Sequence, residues 1–243
     1  MATVAVHYEK HLGPVYTWMI GDLRAAFARG RTELDELGLV PSANGTAIDL
    51  GAGFGLHSVP LAERGYAVTA IDSCKPLLDE LRSRSASLPI NAVAGDISAF
   101  RSYVQGPVDA ILCMGDTLTH LPDFVDVDSL LDGVADALKP GGVFVTTFRD
   151  YASKPLQGDD RFIPVRSDEN RILTCFLEYG ADRVTVHDLL QEREKDRWRQ
   201  HVSSYLKLRL HPERVVERLT KLGFDVRLDT GMSGMIRVVS VRS

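Results

Sequence analysis

A chain of 243 residues, 44% apolar and 25% charged, has the size and composition of one α/β domain or of one domain with an insertion, and not of a disordered or fibrous protein. The formal charge of −5, with basic residues dispersed along the chain, argues against DNA or RNA as the main partner, because phosphate binding needs a clustered positive face. No apolar run approaches the roughly 20 residues that cross a bilayer, and the opening MATVAVHYEKHLGP lacks the marks of a secretory signal, so a cytoplasmic protein without a membrane partner is expected.

Residues 15–38 predict a helix, with Leu23, Phe27, Leu34 and Leu37 at helical spacing and Gly38 and Pro41 as stops. TAIDL (46–50) predicts the first strand, followed by a glycine turn and a helix to about residue 65. YAVTAID (66–72) is the second strand, a helix covers about 75–85, and INAVAGD (90–96) is the third strand. VDAILCMG (108–115) is the fourth, and a helix near 126–138 ends at LKPGG before the fifth, GVFVTTF (142–148). This alternation implies a parallel sheet covered on both faces. RILTCFLEYG (171–180), ADRVTVHDLLQ (181–191) and WRQHVSSYLKLRL (198–210) then predict antiparallel strands. A helix over 212–222 and two strands, DVRLD and MIRVVSV, close the chain. The expected fold is a Rossmann-like, doubly wound seven-stranded sheet with an antiparallel insertion or lid between its fifth and sixth strands. The expected organisation is a cap helix (1–40), a ligand-binding core (41–150), the insertion (151–210) and a closing unit (211–243). Cys74, Cys113 and Cys175 are scattered and odd in number, and the seven histidines show no clustered spacing, so neither a disulfide framework nor a metal site is expected.

In an open α/β sheet, ligands bind beyond the carboxyl ends of the strands. The turn there is AIDLGAGFG (47–55), where Gly51 and Gly53 bring backbone close to a ligand. A pyrophosphate loop wants G-x-G-x-x-G, but position 56 is Leu56 and the pattern is G-x-G-x-G. That spacing suits an adenosyl ligand with a methionine tail, whose ammonium group Asp49 would meet. Asp72 ends the second strand, where a carboxylate accepts ribose hydroxyls, a device shared with dinucleotide enzymes. Asp96, at the end of the third, suits the adenine amine, with Ile97 against the ring. Each acid alone is also a helix-cap or turn residue; three at successive strand ends, together with the turn, point to the ligand.

The pattern resembles the class I S-adenosylmethionine-dependent methyltransferases, and LKPGG (138–142) is another of their habitual features. VYTWMIGDLR (15–24), CMGDTLTHLPD (113–123) and TFRDY (147–151) are similar to segments of the glycine N-methyltransferase branch. The resemblance implies that Tyr16 and Met19 lie over the cofactor, and that Gly51, Asp72, Ser73, Asp96 and Ile97 bind it from the sheet side. It implies that Met114, Gly115, Asp116 and Thr117 line the cleft around the sulfonium, and that Arg149 holds a substrate carboxylate through its two-pronged guanidinium. Asp116 stands where the branch has asparagine, Ala26 replaces a basic residue, and Asp188 falls about where the branch has tyrosine. A carboxylate at 116 favours an amine-bearing small molecule, with an acid facing Arg149, over glycine itself.

Asp116, His120 and Arg149 are therefore the expected catalytic residues, with His120 either an acid–base group or a turn-bonded ring. Asp116→Ala is expected to impair turnover more than folding. A small-molecule O-methyltransferase is the main alternative, since fold and cofactor do not decide the acceptor atom. A dinucleotide oxidoreductase is disfavoured by Leu56, and a nucleic-acid methyltransferase by the M-G-D-T sequence where a base-stacking motif would stand. A non-catalytic adenosyl-ligand sensor stays open, and a homo-oligomer is compatible with the sequence.

Overall fold

The computed structural model describes residues 2–41 and 43–243. An N-terminal strap comes first. Helix α1 (Val4–His7) widens into a π-type turn over Tyr8–Leu12 and a 310 turn over Gly13–Val15, then passes into α2 (Tyr16–Ile20) and α3 (Leu23–Glu36). The single helix predicted over 15–38 is thus broken. Gly21 takes φ +84°, and Asp22 restarts the helix by accepting the Ala25 N–H at 3.2 Å.

The core follows as β1 (Thr46–Leu50), α4 (Ser58–Glu63), β2 (Ala67–Asp72), α5 (Lys75–Arg84), β3 (Ile90–Ala94), β4 (Val108–Cys113), α6 (Phe124–Ala137) and β5 (Leu138–Phe148). An antiparallel unit of β6 (Phe162–Ser167), β7 (Arg171–Tyr179), β8 (Arg183–Glu194) and β9 (Arg197–Leu208) is inserted here. The chain ends with α7 (Pro212–Lys221), β10 (Phe224–Thr230) and β11 (Ile236–Arg242). The main sheet has the order β10–β11–β5–β4–β1–β2–β3. β11 runs against both of its neighbours, while β1 to β5 are parallel.

Alternation along the strands assigns the two faces. Ile48, Leu50, Ile71 and Ile111 pack with Leu130, Leu131 and Val134 of α6 and with Val215 and Leu219 of α7. Ala47, Val68, Ala70 and Ala110 pack against Leu34, Leu61 and Leu81 from α3, α4 and α5. Burial on both faces explains why these strands read as unbroken apolar runs. The winding reverses between β1 and β4, which are adjacent in the sheet but far apart in sequence. Such a switch point opens a crevice at the carboxyl ends.

The smaller sheet, ordered β6–β7–β8–β9, includes an edge strand that the sequence did not announce. Pro164 sits in β6 beside a register irregularity, as befits an edge. The inner face of this sheet holds the strap. Leu173 and Leu190 pack on Leu12 and Val15, and Leu177, Val186 and Tyr205 pack on Val4 and Tyr8.

Candidate active site

At the switch point lies a cavity of about 720 Å³, within the range of small-ligand sites. Its floor is the turn after β1, its sides are the ends of β2, β3 and β4, and the strap closes it through Ala2, Val4, Tyr8, Tyr16 and Ile20. Gly51 takes φ +75° and Gly53 φ +53°. A Cβ on Gly51 would stand 2.5 Å from the Thr117 side chain, so glycine is required on steric as well as conformational grounds. Both the Gly51 and Ala52 N–H groups donate to the Ile71 carbonyl, at 2.8 and 3.1 Å, which pins the turn to β2.

Among the sequence-predicted residues, Tyr16, Gly51, Gly53, Asp72, Ser73, Asp96, Ile97, Met114, Gly115, Thr117 and His120 all line this cavity. Asp72 accepts the Gly53 N–H at Oδ2 (2.8 Å) and the Cys74 N–H at Oδ1 (2.7 Å). The Ser73 N–H also acts on this carboxylate; a carboxylate has about four acceptor positions, so these backbone groups do not exhaust it. Burial raises its carboxyl above the usual range against these backbone bonds. Asp96 caps the following 310 turn by accepting the Ser98 N–H at 2.9 Å, which leaves its second oxygen at the cavity. The cap reading and the ligand reading are therefore compatible.

Four predicted residues are placed elsewhere. Met19 packs among Leu12, Val15, Leu173 and Leu190 on the far side of α2, and the next residue, Ile20, faces the cavity. Asp49 is 2% exposed and accepts from Ser58 Oγ at 2.5 Å. It fastens the end of β1 to the start of α4 and is not among the residues that line the cavity, and burial raises its carboxyl. Arg149 is exposed and outside the cavity lining. Its backbone N–H bonds Asp116 Oδ1 at 2.9 Å, and its charge acts on Tyr151 and Cys175.

Asp116 departs furthest from expectation. It takes the left-handed conformation (φ +76°) with its N–H on the Thr147 carbonyl at 2.9 Å, which turns its carboxylate under the loop. Oδ1 accepts the Arg149 N–H at 2.9 Å, and Oδ2 accepts Tyr151 OH at 2.7 Å and Lys207 Nζ at 2.5 Å, while Thr119 Oγ1 donates to the Asp116 carbonyl at 2.7 Å. Both carboxylate oxygens are thus held by protein groups, and Asp116 is not among the residues that line the cavity. Burial pushes this carboxyl up, but Lys207, His120 and the hydrogen bonds outweigh it and leave it below its ordinary value. Asp116→Ala would strand a buried Lys207, so folding is at risk along with turnover.

His120 sits between the rings of Tyr8 and Tyr205, at centroid distances of 5.5 and 5.7 Å. Its Nε2 is buried and has no hydrogen-bond partner among the described residues. Burial, then the Lys207 charge, lower its pKa to about 3 against the pull of Asp116, so the imidazole is uncharged. The turn-bonded alternative is not what Nε2 does.

The strap and the insertion supply residues that sequence reasoning passed over. His7 bonds Ser203 Oγ through Nδ1 (2.8 Å) and Asp188 Oδ2 through Nε2 (2.9 Å), and it packs against Tyr205 at 4.1 Å. Asp188, at the branch's tyrosine position, is thus a buried anchor for the strap. Two signals were available. Val4, Tyr8, Leu12, Val15 and Met19 recur three or four residues apart, and Lys207 falls on the inward alternation of β9 with Tyr205.

A doubly wound sheet with a glycine turn after β1, an acid at the end of β2 and a cavity beyond the carboxyl ends of the strands is the arrangement in which open α/β sheets bind ligands. Residues 47–142 match the family model described as a methyltransferase domain. The cypemycin N-terminal methyltransferase of a Streptomyces sp is 32% identical over 58% of this chain and 63% of its own length. A glycine/sarcosine N-methyltransferase of Halorhodospira halochloris is 31% identical over 43% of this chain and 40% of its own length. A ubiquinone biosynthesis O-methyltransferase of Xylella fastidiosa (strain 9a5c) is 29% identical over 74% and 71%. The solved S-adenosylmethionine-dependent methyltransferase of Clostridium acetobutylicum superposes with a TM-score of 0.75 at 17% identity, over 97% of this chain and 99% of that one. The chain spans just under two thirds of the cypemycin enzyme's length. Residues 47–142 thus match a methyltransferase domain, and the chain has the fold of the solved S-adenosylmethionine-dependent methyltransferase on which it superposes.

Proposed function

We propose that the protein methylates the amine nitrogen of a small molecule, with S-adenosylmethionine as donor. The donor supplies an already activated methyl group that passes in line to a lone pair, so the protein has to align and enclose, not to form a covalent intermediate. Gly51, Gly53 and Tyr16 would enclose the methionine end, Asp72 and Ser73 the ribose, and Asp96 and Ile97 the adenine. Met114, Gly115 and Thr117 form the wall between that half and the acceptor half.

The observation that carries the amine reading is His120, an uncharged imidazole that lines the cavity and whose buried Nε2 has no hydrogen-bond partner among the described residues. A neutral imidazole nitrogen accepts an N–H and so turns the amine lone pair away from itself. Burial around it disfavours the ammonium form, which has no lone pair to give. Asp116, paired with Lys207 and outside the cavity lining, does not compete for the amine. Two of the relatives are named for amine acceptors, which supports the same reading. A carboxylate on the acceptor would meet Arg183, which lines the cavity, and not Arg149.

The test is incubation with methyl-labelled donor and a panel of amino acids, amines and phenols. Label is expected on nitrogen; label recovered only on phenolic or carboxylic oxygen overturns the amine reading in favour of an O-methyltransferase. His120→Asn is expected to lower kcat by up to about a hundredfold through lost alignment, with affinity for S-adenosylhomocysteine unchanged within twofold.

A further inference from the structure

The residues assigned above to the methyl donor come from the ends of β1 to β4 and from Tyr16. The wall left for the acceptor has a different character. Val4 from the strap, Leu121 and Pro122 from the segment after His120, and Leu206 from β9 all line it, and all four side chains are apolar. Thr3, beside Val4, spends its hydroxyl on capping α1 by accepting the Val6 N–H at 3.3 Å. Such a wall removes water from whatever enters and returns few hydrogen bonds. It rewards an acceptor with an apolar body and penalises one that is polar throughout.

Charge divides the cavity along the same line. Asp72 and Asp96 stand on the donor side, while Arg183, at the start of β8, is the one lysine or arginine in the lining among the described residues. Arg183 is half-buried, and its guanidinium has no hydrogen bond or ion pair among the described residues. Its charge acts on Asp123, but that carboxylate accepts the Val125 and Asp126 N–H groups at the start of α6. A guanidinium carries five donors, and side chains removed from water ordinarily spend theirs. The β8–β9 register sets Leu208 opposite Arg183 and Leu206 opposite Thr185. Arg183 and Leu206 are therefore diagonal neighbours on one face of the inserted sheet, a cation beside an apolar side chain.

Resting on the proposed amine chemistry for the atom methylated, we infer that the acceptor is an apolar amino acid, whose carboxylate Arg183 binds and whose side chain lies on the wall of Val4, Leu121, Pro122 and Leu206. One forked cation matches one carboxylate. A diamine would bring a second positive charge to Arg183, and glycine has no body to bury.

The test is calorimetric titration of the full chain, in complex with S-adenosylhomocysteine, with glycine, leucine, leucinamide and isocaproate, which is leucine without its amine. Leucine is expected to bind about tenfold or more tightly than glycine, the effect of burying one such side chain. It is expected to bind about tenfold or more tightly than leucinamide, the effect of a charge-assisted hydrogen bond. Arg183→Gln is expected to erase the difference between leucine and leucinamide and to weaken isocaproate, while retained affinity for S-adenosylhomocysteine shows that the variant is folded. The inference is overturned if glycine or leucinamide matches leucine on the wild-type protein, or if none of these probes binds, outcomes that need no variant. It is also overturned if the folded glutamine variant keeps the preference for the acid. A methyl-labelled donor separates this inference from the amine reading. The expected binding preferences with no label on nitrogen remove the amine reading and keep the site. Nitrogen label on glycine or leucinamide in preference to leucine removes the inference and keeps the amine reading.

Discussion

At Asp72 and Asp116 the same carboxylate meets different sets of donors. Asp72 takes backbone N–H groups only and lines the cavity, whereas Asp116 is held by a backbone N–H, a tyrosine hydroxyl and a buried lysine and lies outside the cavity lining. Lowered by its partners, the Asp116 carboxyl adds stability that is complete above its ordinary value of 3.8 and is lost as pH falls through the lower folded value. Asp116→Asn should therefore destabilise the protein at pH 7 by about 3–5 kcal/mol, because a buried lysine loses its counter-charge. It should also remove this residue's share of acid unfolding below pH 4. Urea melts at pH 7 and pH 3 measure both effects, and equal melting of the two proteins at pH 7 would contradict them. At Gly51 a methyl group would press on Thr117 in a conformation that side chains resist. Gly51→Ala is expected to cost about 1–3 kcal/mol and at least tenfold in S-adenosylhomocysteine affinity by calorimetry.

The strap is held at the level of whole elements. α1 and its π-type turn lie between the inserted sheet and the cavity, tied by His7 to Ser203 and Asp188, by His11 Nε2 to the Asp188 carbonyl at 3.1 Å, and by Trp18 Nε1 to Asp168 Oδ2 at 2.5 Å. Tyr8 and Tyr16 of the same strap line the cavity. His7→Ala would leave a buried Asp188 oxygen without its partner, at a cost of about 1–3 kcal/mol. Amide exchange over residues 4–20 should quicken while the β1–β5 core stays protected. Unchanged exchange in the strap would show that its anchorage lies elsewhere.

Ligand in such an enclosed cavity should stabilise the whole molecule. At a concentration one hundred times its dissociation constant, S-adenosylhomocysteine should add about 2.7 kcal/mol. For a chain of this length that raises Tm by about 5–10 °C. A nicotinamide dinucleotide at the same concentration should leave Tm unmoved, and a rise with it instead would return the oxidoreductase reading.

Much of this was legible in the chain. The β1–β5 alternation, the glycine turn and the acids at three strand ends are local patterns. Each sits within a few residues of the strand that presents it, so periodicity and turn chemistry locate them without a model of the tertiary fold. Leu56 in place of a third pyrophosphate glycine is equally local. The partners of Asp116 and Asp188 were not legible, because they come together from separations of 91 and 181 residues. Nor was the face of Met19 against Ile20, since one residue on a helix is a rotation of about 100° and the break at Gly21 resets the register. The sequence by itself determined the fold class and most of the strand-end residues that line the cavity. The tertiary structure alone decided which polar groups there are spent and which are free, because a carboxylate's duty depends on the donors that the folded chain brings to its lone pairs.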